Sequence, residues 1–160
     1  MTIETNDLGP LPHWDLANVY PGLESEQFSQ ALAELLTRLD NLDKFMAEYQ
    51  IGGKGESPSS DAAALNQIIS DYVDRRNALL KLYRTLVAYI YSFVTTDSHN
   101  TVAKRLESEL DIHGVRLRQQ DTRFRTWIGG VAGALPEALR HGGSAQAHAF
   151  YLQETAEQSR

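Results

Sequence analysis

Residues 60–95 of this chain read SDAAALNQIISDYVDRRNALLKLYRTLVAYIYSFVT, and no proline or glycine interrupts them. A row of positions spaced alternately by four and three runs through the stretch, and it is apolar except at Arg76. The row consists of Leu65, Ile69, Tyr72, Arg76, Leu79, Tyr83, Leu86, Ile90 and Phe93. This spacing predicts one long helix, which would span about 50 Å at ~1.5 Å per residue.

A second apolar row strengthens in the later half of the same helix, at Val73, Leu80, Val87 and Val94. A helix that is apolar on two sides is covered on two sides. We therefore expect this helix to be the middle element of the fold.

The segments on either side carry similar apolar rows, which face a parallel or antiparallel helical neighbour. The preceding helix starts after Ser25, ends at Ile51-Gly52-Gly53 and leads into a polar loop. Its row is Phe28, Leu32, Leu35, Leu39, Leu42, Met46 and Tyr49. The following helix is capped by Asp97 and Ser98 and is closed by Gly129 and Gly130. Its row is Ala103, Leu106, Leu110, His113, Leu117, Gln120, Phe124 and Trp127.

Two shorter helices are predicted in the last part of the chain. One follows Pro136, a residue that suits a first helical turn, and ends at Gly142 and Gly143. The other opens at Ser144 and continues to Arg160 without a glycine, a proline or a cap. Because a chain seldom stops inside an amphipathic helix, we expect this one to be cut from a longer protein.

The predicted fold class is all-α: an elongated antiparallel bundle of three long helices, with shorter C-terminal helices and an extended N-terminal arm. Residues 1–23 form the arm, in which Asp15 caps a short turn and Trp14 and Tyr20 pin the arm to the helices. Residues 24–130 form the bundle. Residues 131–160 hold the short helix and the start of a further, truncated helix.

The composition restricts the function classes. The chain has no cysteine, which excludes disulfides, thiolate metal sites and cysteine nucleophiles and suits the cytoplasm. The N-terminus does not resemble a signal peptide. The most apolar stretch, Leu86 to Val94, is far shorter than the roughly 20 residues that cross a bilayer, so no membrane span is expected.

The charge of −6 is unevenly distributed. Residues 1–74 hold 13 acidic and 3 basic residues, whereas residues 75–125 hold 10 basic and 5 acidic ones. The basic stretch either binds an anionic partner or faces the acidic stretch within the fold, and we favour the second interpretation.

Four arginines of the third helix allow the same two interpretations, an anionic partner or contacts within the fold. Arg116 and Arg123 share one helix face, and Arg118 and Arg125 share another. A nucleic-acid reader is conceivable, but the acidic chain argues against it, so no nucleic-acid partner is expected. The favoured alternatives are ion pairs with the acidic first helix or one wall of a groove for an acidic substrate. Arg76 is interpreted as a snorkelling side chain, with an ion pair to the first helix as the less common alternative.

No motif for catalysis or metal binding was found. A zinc-peptidase helix requires His-Glu-x-x-His, and none of the five histidines is followed by glutamate. A Gly-x-Ser-x-Gly nucleophile motif is absent, and Gly53-Lys54 is followed by Gly55 rather than by serine or threonine. Glu109 and His113 are four residues apart, and His113 is interpreted as a hydrogen-bonded interface residue. We therefore predict no catalytic, cofactor-binding or metal-binding residue in this chain.

Three segments carry a resemblance to a known family. The arm reads LPHWDLANVYPGL at 11–23, and RFRTWIG at 123–129 and HAFYL at 148–152 follow in order. Together these segments resemble the N-terminal part of oligoendopeptidase F-type zinc metallopeptidases, relatives of thimet oligopeptidase. Such enzymes typically begin with Trp-Asp-Leu and Tyr-Pro and continue with an Arg-Phe-x-x-Trp-Leu/Ile-Gly segment.

The resemblance implies a helical domain that walls one side of a peptide channel. Zinc and the catalytic residues would belong to a C-terminal domain of the same parent chain, and oligopeptides would be the substrates. A homodimer through the interface exposed by excision is a further expectation. On this interpretation the 160-residue chain alone is inactive. The alternative is a stand-alone helical module for protein–protein interaction.

Overall fold

Three long helices and four shorter helical segments make up the described part of the chain. The computed structural model describes residues 15–52 and 61–159. The long helices are α1 (Glu26–Glu48), α2 (Ala62–Thr96) and α3 (Thr101–Gly130). The short ones are α4 (Leu135–Ala138), a 3-10 turn (Leu139–His141), α5 (Gly143–Ala147) and α6 (Ala149–Gln158). No described residue lies in a strand, so the predicted all-α fold class is confirmed.

The long helices alternate in direction, and α2 lies between its neighbours. Tyr89 of α2 packs near Phe28 at the start of α1, whereas Arg38, later in α1, donates to the carbonyl of Ala78. Residue numbers therefore rise along α1 as they fall along α2, and these two helices are antiparallel. α2 also contacts α3, α4 and α5, which confirms its predicted middle position.

The predicted apolar rows meet in one core between the three long helices. Their fully buried members include Phe28, Leu35, Leu39, Leu65, Ile69, Leu79, Leu86, Ile90 and Ala103. The second row of α2 is covered only in part, because the hydrogen bonds between the C-terminal segments and α2 lie at Asn66, Ser70 and Asp74, all in the first half of that helix. Val73 is buried, but Val87 and the neighbouring Tyr91 are exposed. The expectation that α2 is covered on two sides is therefore confirmed at Val73, met only in part at Leu80 and Val94, and wrong at Val87.

The predicted N-cap is correct for α1 but wrong for α3. The hydroxyl of Ser25 accepts a hydrogen bond from the amide of Phe28 at 3.2 Å, and Asp61 caps α2. For α3 the cap is Asn100, whose side chain accepts from the amide of Ala103 at 2.9 Å. Asp97 instead ends α2 and accepts from the amide of His99. The turn between the helices is thus longer than predicted.

Tyr20 anchors the described end of the N-terminal arm, as predicted. Its carbonyl accepts a hydrogen bond from the hydroxyl of Tyr89 at 2.8 Å. Its ring meets the rings of Phe28 and Tyr89 edge to face, with centroids 5.4 and 5.1 Å away. The Asp15 carboxylate accepts from the amide of Ala17, in the predicted short turn. Trp14 lies outside the described residues.

The C-terminal segments differ from the prediction in two details. Gly142 ends the turn after α4 with a φ of +86°, as expected for a glycine stop. The next helix begins at Gly143 rather than Ser144, and it is interrupted at His148. There the imidazole Nδ1 lies 2.9 Å from the carbonyl oxygen of Ser144, and the backbone leaves helical geometry. A continuous final helix was therefore a wrong prediction.

Gly129 and Gly130 do not close α3 but lie inside its last turn, and Val131 follows as the C-cap. Gly129 has a packing role that the sequence did not reveal. A Cβ added at this position would lie 2.6 Å from the carbonyl oxygen of Ser159, just beyond α6. The missing side chain therefore allows α6 to approach the end of α3.

Two neighbouring glycine-to-alanine substitutions should have opposite effects. Gly130→Ala meets no atom within 4 Å and should raise the free energy of unfolding by about 0.5 kcal/mol through helix propensity. Gly129→Ala should lower it by about 1–2 kcal/mol, because the added methyl group displaces the segment around Ser159. Urea unfolding of both variants measures the difference. Equal stabilisation by the two substitutions would show that the Gly129 contact does not constrain the fold.

Candidate functional site

The acidic and basic stretches meet within the fold, as the favoured interpretation predicted. Arg116 of α3 forms ion pairs with Asp40 at 2.6 Å and with Asp43 at 2.7 Å, both on α1. Arg123 reaches Asp43 at 3.3 Å. Burial lowers the pKa of Arg116, but hydrogen bonds to the two carboxylates outweigh burial and raise it overall. These two arginines are therefore used in joining α1 to α3.

Arg76 neither snorkels to solvent nor pairs with the first helix, the two interpretations drawn from the sequence. Its Nε and Nη2 atoms donate to the two carboxylate oxygens of Asp121 on α3, each at 2.6 Å. The Arg76 side chain is only 16% exposed, so it does not snorkel to solvent. The ion pair joins α2 to α3 rather than to α1. Two parallel hydrogen bonds of this kind hold a guanidinium in one orientation.

Two polar atoms beside this ion pair have no hydrogen-bond partner among the described residues: Nη1 of Arg76 and the hydroxyl of Tyr72. Tyr72 is 3% exposed. Burial, with a further contribution from the charge of Asp121, raises the pKa of the Tyr72 hydroxyl. The neighbouring guanidinium of Arg76 opposes this rise in pKa through its charge and its ability to donate a hydrogen bond but does not cancel it, so the hydroxyl remains protonated. Leaving a buried donor unpaired typically costs about 1–3 kcal/mol. Unpaired donors side by side are the kind of exception that points to a ligand.

These donors lie at a pocket of about 280 Å³ between α2, α3 and α6. One wall is the ring of Phe124, which stacks on Tyr72 with ring centroids 3.8 Å apart. Val73, Leu80 and Leu152 add apolar surface. The exposed residues that line the pocket are Asn77, Arg125, His148 and Tyr151.

The charges around the pocket do not cancel. Asp121 neutralises Arg76, whereas Arg125 forms no ion pair with any described residue. The pocket therefore carries an excess positive charge from Arg125 beside largely apolar walls. A groove wall for an acidic substrate was one of the two alternatives for the third-helix arginines, and Arg125 is the one placed to serve it.

Sequence reasoning missed this site for an identifiable reason. It singled out Arg76, Phe124 and Arg125 but predicted no binding residue, because Arg76 belongs to α2 and the other two belong to α3. His148 and Tyr151 reach the pocket only through the way that α6 docks on α3. The sole available signal was an arginine inside an apolar row of α2.

The other polar candidates form no site in the described residues. Glu109 lies 3.7 Å from Arg105, and His113 makes no hydrogen bond to a described residue, so the bond predicted for it is wrong. Within residues 15–52 and 61–159, no three His, Cys, Asp or Glu side chains are placed to hold a metal ion. None of the described helices is both long and apolar enough to cross a membrane.

No protein-family model matches the chain, and no curated protein or solved structure is significantly similar to it.

Proposed function

We propose that this chain is the non-catalytic N-terminal helical domain of an oligoendopeptidase F-type zinc metallopeptidase, located in the cytoplasm. In this role it forms one wall of the channel through which short peptides reach the catalytic domain. The proposal starts from the three ordered segments that resemble this family. Its structural support comes from what those segments do in the fold.

The segment at 123–129 acts as a joint between helices. Arg123 pairs with Asp43 of α1, and Phe124 stacks on Tyr72 of α2. Gly129 accommodates the segment that follows α6. One side of this short motif therefore meets three other elements. A motif with such a packing role is the kind of sequence that a domain family would share, which supports the resemblance without depending on catalytic residues.

The observation that carries the proposal is the surface presented by the segment at 148–152. Leu152 is fully buried and holds α6 on the bundle, while the adjacent aromatic residues turn outward. Phe150 is 78% exposed and Tyr151 is 52% exposed. Of the two, only Tyr151 lines the pocket between α2, α3 and α6. Large exposed aromatic side chains next to each other are typical of contact with another polypeptide. That polypeptide would be the catalytic domain or the peptide in the channel.

The chemistry of the proposed enzyme lies outside this chain. A zinc ion held by the catalytic domain would activate a water molecule for attack on the scissile carbonyl. This domain would contribute a wall, an excess positive charge at Arg125 and exclusion of folded proteins by size. No described residue of the chain is assigned a catalytic role.

The proposal is tested by the native reading frame and its product. We expect the frame to continue past Arg160 and to encode His-Glu-x-x-His. The full product should hydrolyse a quenched-fluorescent oligopeptide, lose activity with a zinc chelator and regain it with zinc. The 160-residue chain should be inactive in the same assay, with or without zinc.

Two results would contradict the peptidase assignment. The first is a reading frame that ends near Arg160. The second is a longer frame without the zinc motif. Either would favour the alternative, a stand-alone interaction module. For that module the exposed apolar surface at Val87 and Tyr91 of α2 is the natural contact face.

A further inference from the structure

The pocket between α2, α3 and α6 has a combination of features that packing alone does not explain. Its lining holds two donors without a partner among the described residues, Nη1 of Arg76 and the hydroxyl of Tyr72. Arg76 is held in place by both oxygens of Asp121, so Nη1 cannot turn away without breaking that pair. Tyr72 is held by its stacking on Phe124. Both donors are therefore fixed in position.

The polarity of the pocket selects the class of ligand. Two donors that lack an acceptor call for oxygen atoms rather than for another donor. The excess charge of Arg125 favours an anion over a neutral or cationic ligand. The apolar walls at Val73, Leu80 and Phe124 would disfavour a fully hydrated dianion such as phosphate. A single carboxylate attached to an apolar group satisfies all three conditions.

We propose that this pocket binds the carboxylate of a small ligand with an apolar group, such as the C-terminal residue of a peptide that ends in phenylalanine. The hydroxyl of Tyr72 and Nη1 of Arg76 donate to the carboxylate oxygens, and Arg125 supplies the attraction at the rim. The apolar group lies against Phe124 and Leu80. A free carboxylic acid with the same apolar group shares this chemistry. The inference concerns this chain alone and holds whether or not its parent is a peptidase.

Access to the donors involves Tyr151. Both donor atoms are shielded from solvent, and Tyr151 lines the same pocket. The Tyr151 side chain is half exposed, so it can rotate outward without leaving a cavity in the core. Exposed side chains change rotamer within nanoseconds. Rotation of Tyr151 would therefore widen access to the pocket.

The test compares matched acids and amides on the 160-residue chain by isothermal titration and by amide chemical shifts. The first pair is N-acetyl-phenylalanine and N-acetyl-phenylalaninamide, which differ in the carboxylate. The second pair is Ala-Ala-Ala-Phe with a free and with an amidated C-terminus. In each pair the acid should bind about tenfold more tightly than the amide, equivalent to ~1.4 kcal/mol. The largest shifts should occur at residues that line the pocket.

Two conservative variants separate binding from folding. Tyr72→Phe removes only the unpartnered hydroxyl, so the variant should fold and should bind the acid roughly fivefold more weakly, as expected for one lost hydrogen bond. Arg125→Gln should weaken acid binding and reduce its dependence on salt. Tyr91→Phe on α2 and Arg105→Gln on α3 are matched controls away from the pocket, and both should bind like the unchanged chain. Amide binding should be the same in all five proteins.

Each outcome decides the proposal. Equal affinity for acid and amide, or no binding of either acid at millimolar concentration, would overturn it. Acid binding that neither Tyr72→Phe nor Arg125→Gln weakens would also overturn it, since the carboxylate would then lie elsewhere. Tighter binding of the tetrapeptide acid than of N-acetyl-phenylalanine supports the proposal and identifies a peptide terminus as the ligand. Equal affinity of these two acids supports it for a free carboxylic acid.

Discussion

Phe124→Ala should lower the free energy of unfolding by about 3–5 kcal/mol, among the largest effects of any single substitution here. Phe124 is nearly fully buried between α2 and α3. Its ring stacks on Tyr72 at an interplanar angle of 4° and lies 5.8 Å from the ring of Trp127. Replacing the ring by a methyl group removes both contacts and leaves a cavity that the rigid helices cannot close.

Two contributions make up the expected loss of stability in Phe124→Ala: aromatic stacking, and the burial and volume of the side chain. Stacking of an aromatic pair adds about 0.5–1.5 kcal/mol beyond the area that it buries. Loss of the buried apolar side chain and the cavity left behind account for the rest. Phe124→Leu keeps most of the volume and removes the stacking, so it should cost about 1–2 kcal/mol. The difference between the two variants measures the cavity contribution.

Urea unfolding followed by circular dichroism provides the measurement, and Phe150→Ala provides the control. Phe150 is the most exposed large apolar residue described, so its truncation should change the free energy of unfolding by less than about 0.5 kcal/mol. Similar losses for Phe124→Ala and Phe150→Ala would contradict the burial of Phe124 at the joint between α2 and α3.

The helices could be predicted because their signals are local. Rows of apolar residues spaced by three and four, such as the one from Leu65 to Phe93, report which side of a helix is buried. The absence of proline and glycine between Asp61 and Thr96 makes α2 continuous. Gly142 could be recognised as a stop because a positive φ rarely suits any other residue. None of these inferences requires knowledge of a distant contact.

Partners across helices could not be predicted because they depend on how two helices are rotated against each other. Arg76 lies 45 residues from Asp121, and several other carboxylates were available to it. The α3 cap was ambiguous for a different reason: Asp97, Ser98 and Asn100 can all cap a helix, and only the length of the turn decides between them. The unpaired donors of Arg76 and Tyr72 could be identified only from the positions of α2 and α3 relative to each other.

Asp121→Ala should lower the free energy of unfolding by about 2–3 kcal/mol, because it leaves the charge of Arg76 buried without a partner. The aspartate is partly exposed, so some water reaches the vacated position, and the loss falls at or below the lower end of the range of about 3–5 kcal/mol for buried pairs. Asp40→Ala is the matched control, since it makes the same chemical change on α1. Arg116 retains Asp43 in that variant, so the expected change is below about 0.5 kcal/mol.

A double substitution shows why Asp121→Ala loses stability: because the attraction between Asp121 and Arg76 is lost, or because the charge of Arg76 is left without a partner. Arg76→Met combined with Asp121→Ala removes both charges and keeps an apolar side chain in the pocket that Leu80 and Phe124 also line. If the cost of Asp121→Ala comes mainly from the unpaired guanidinium, the double variant should recover most of the lost stability. If the double variant is no more stable than Asp121→Ala, the ion pair itself stabilises the joint between α2 and α3. In the first case the Arg76–Asp121 pair adds little net stability over an apolar contact, and an arginine that a hydrophobic residue could replace with little loss is better explained by binding than by packing.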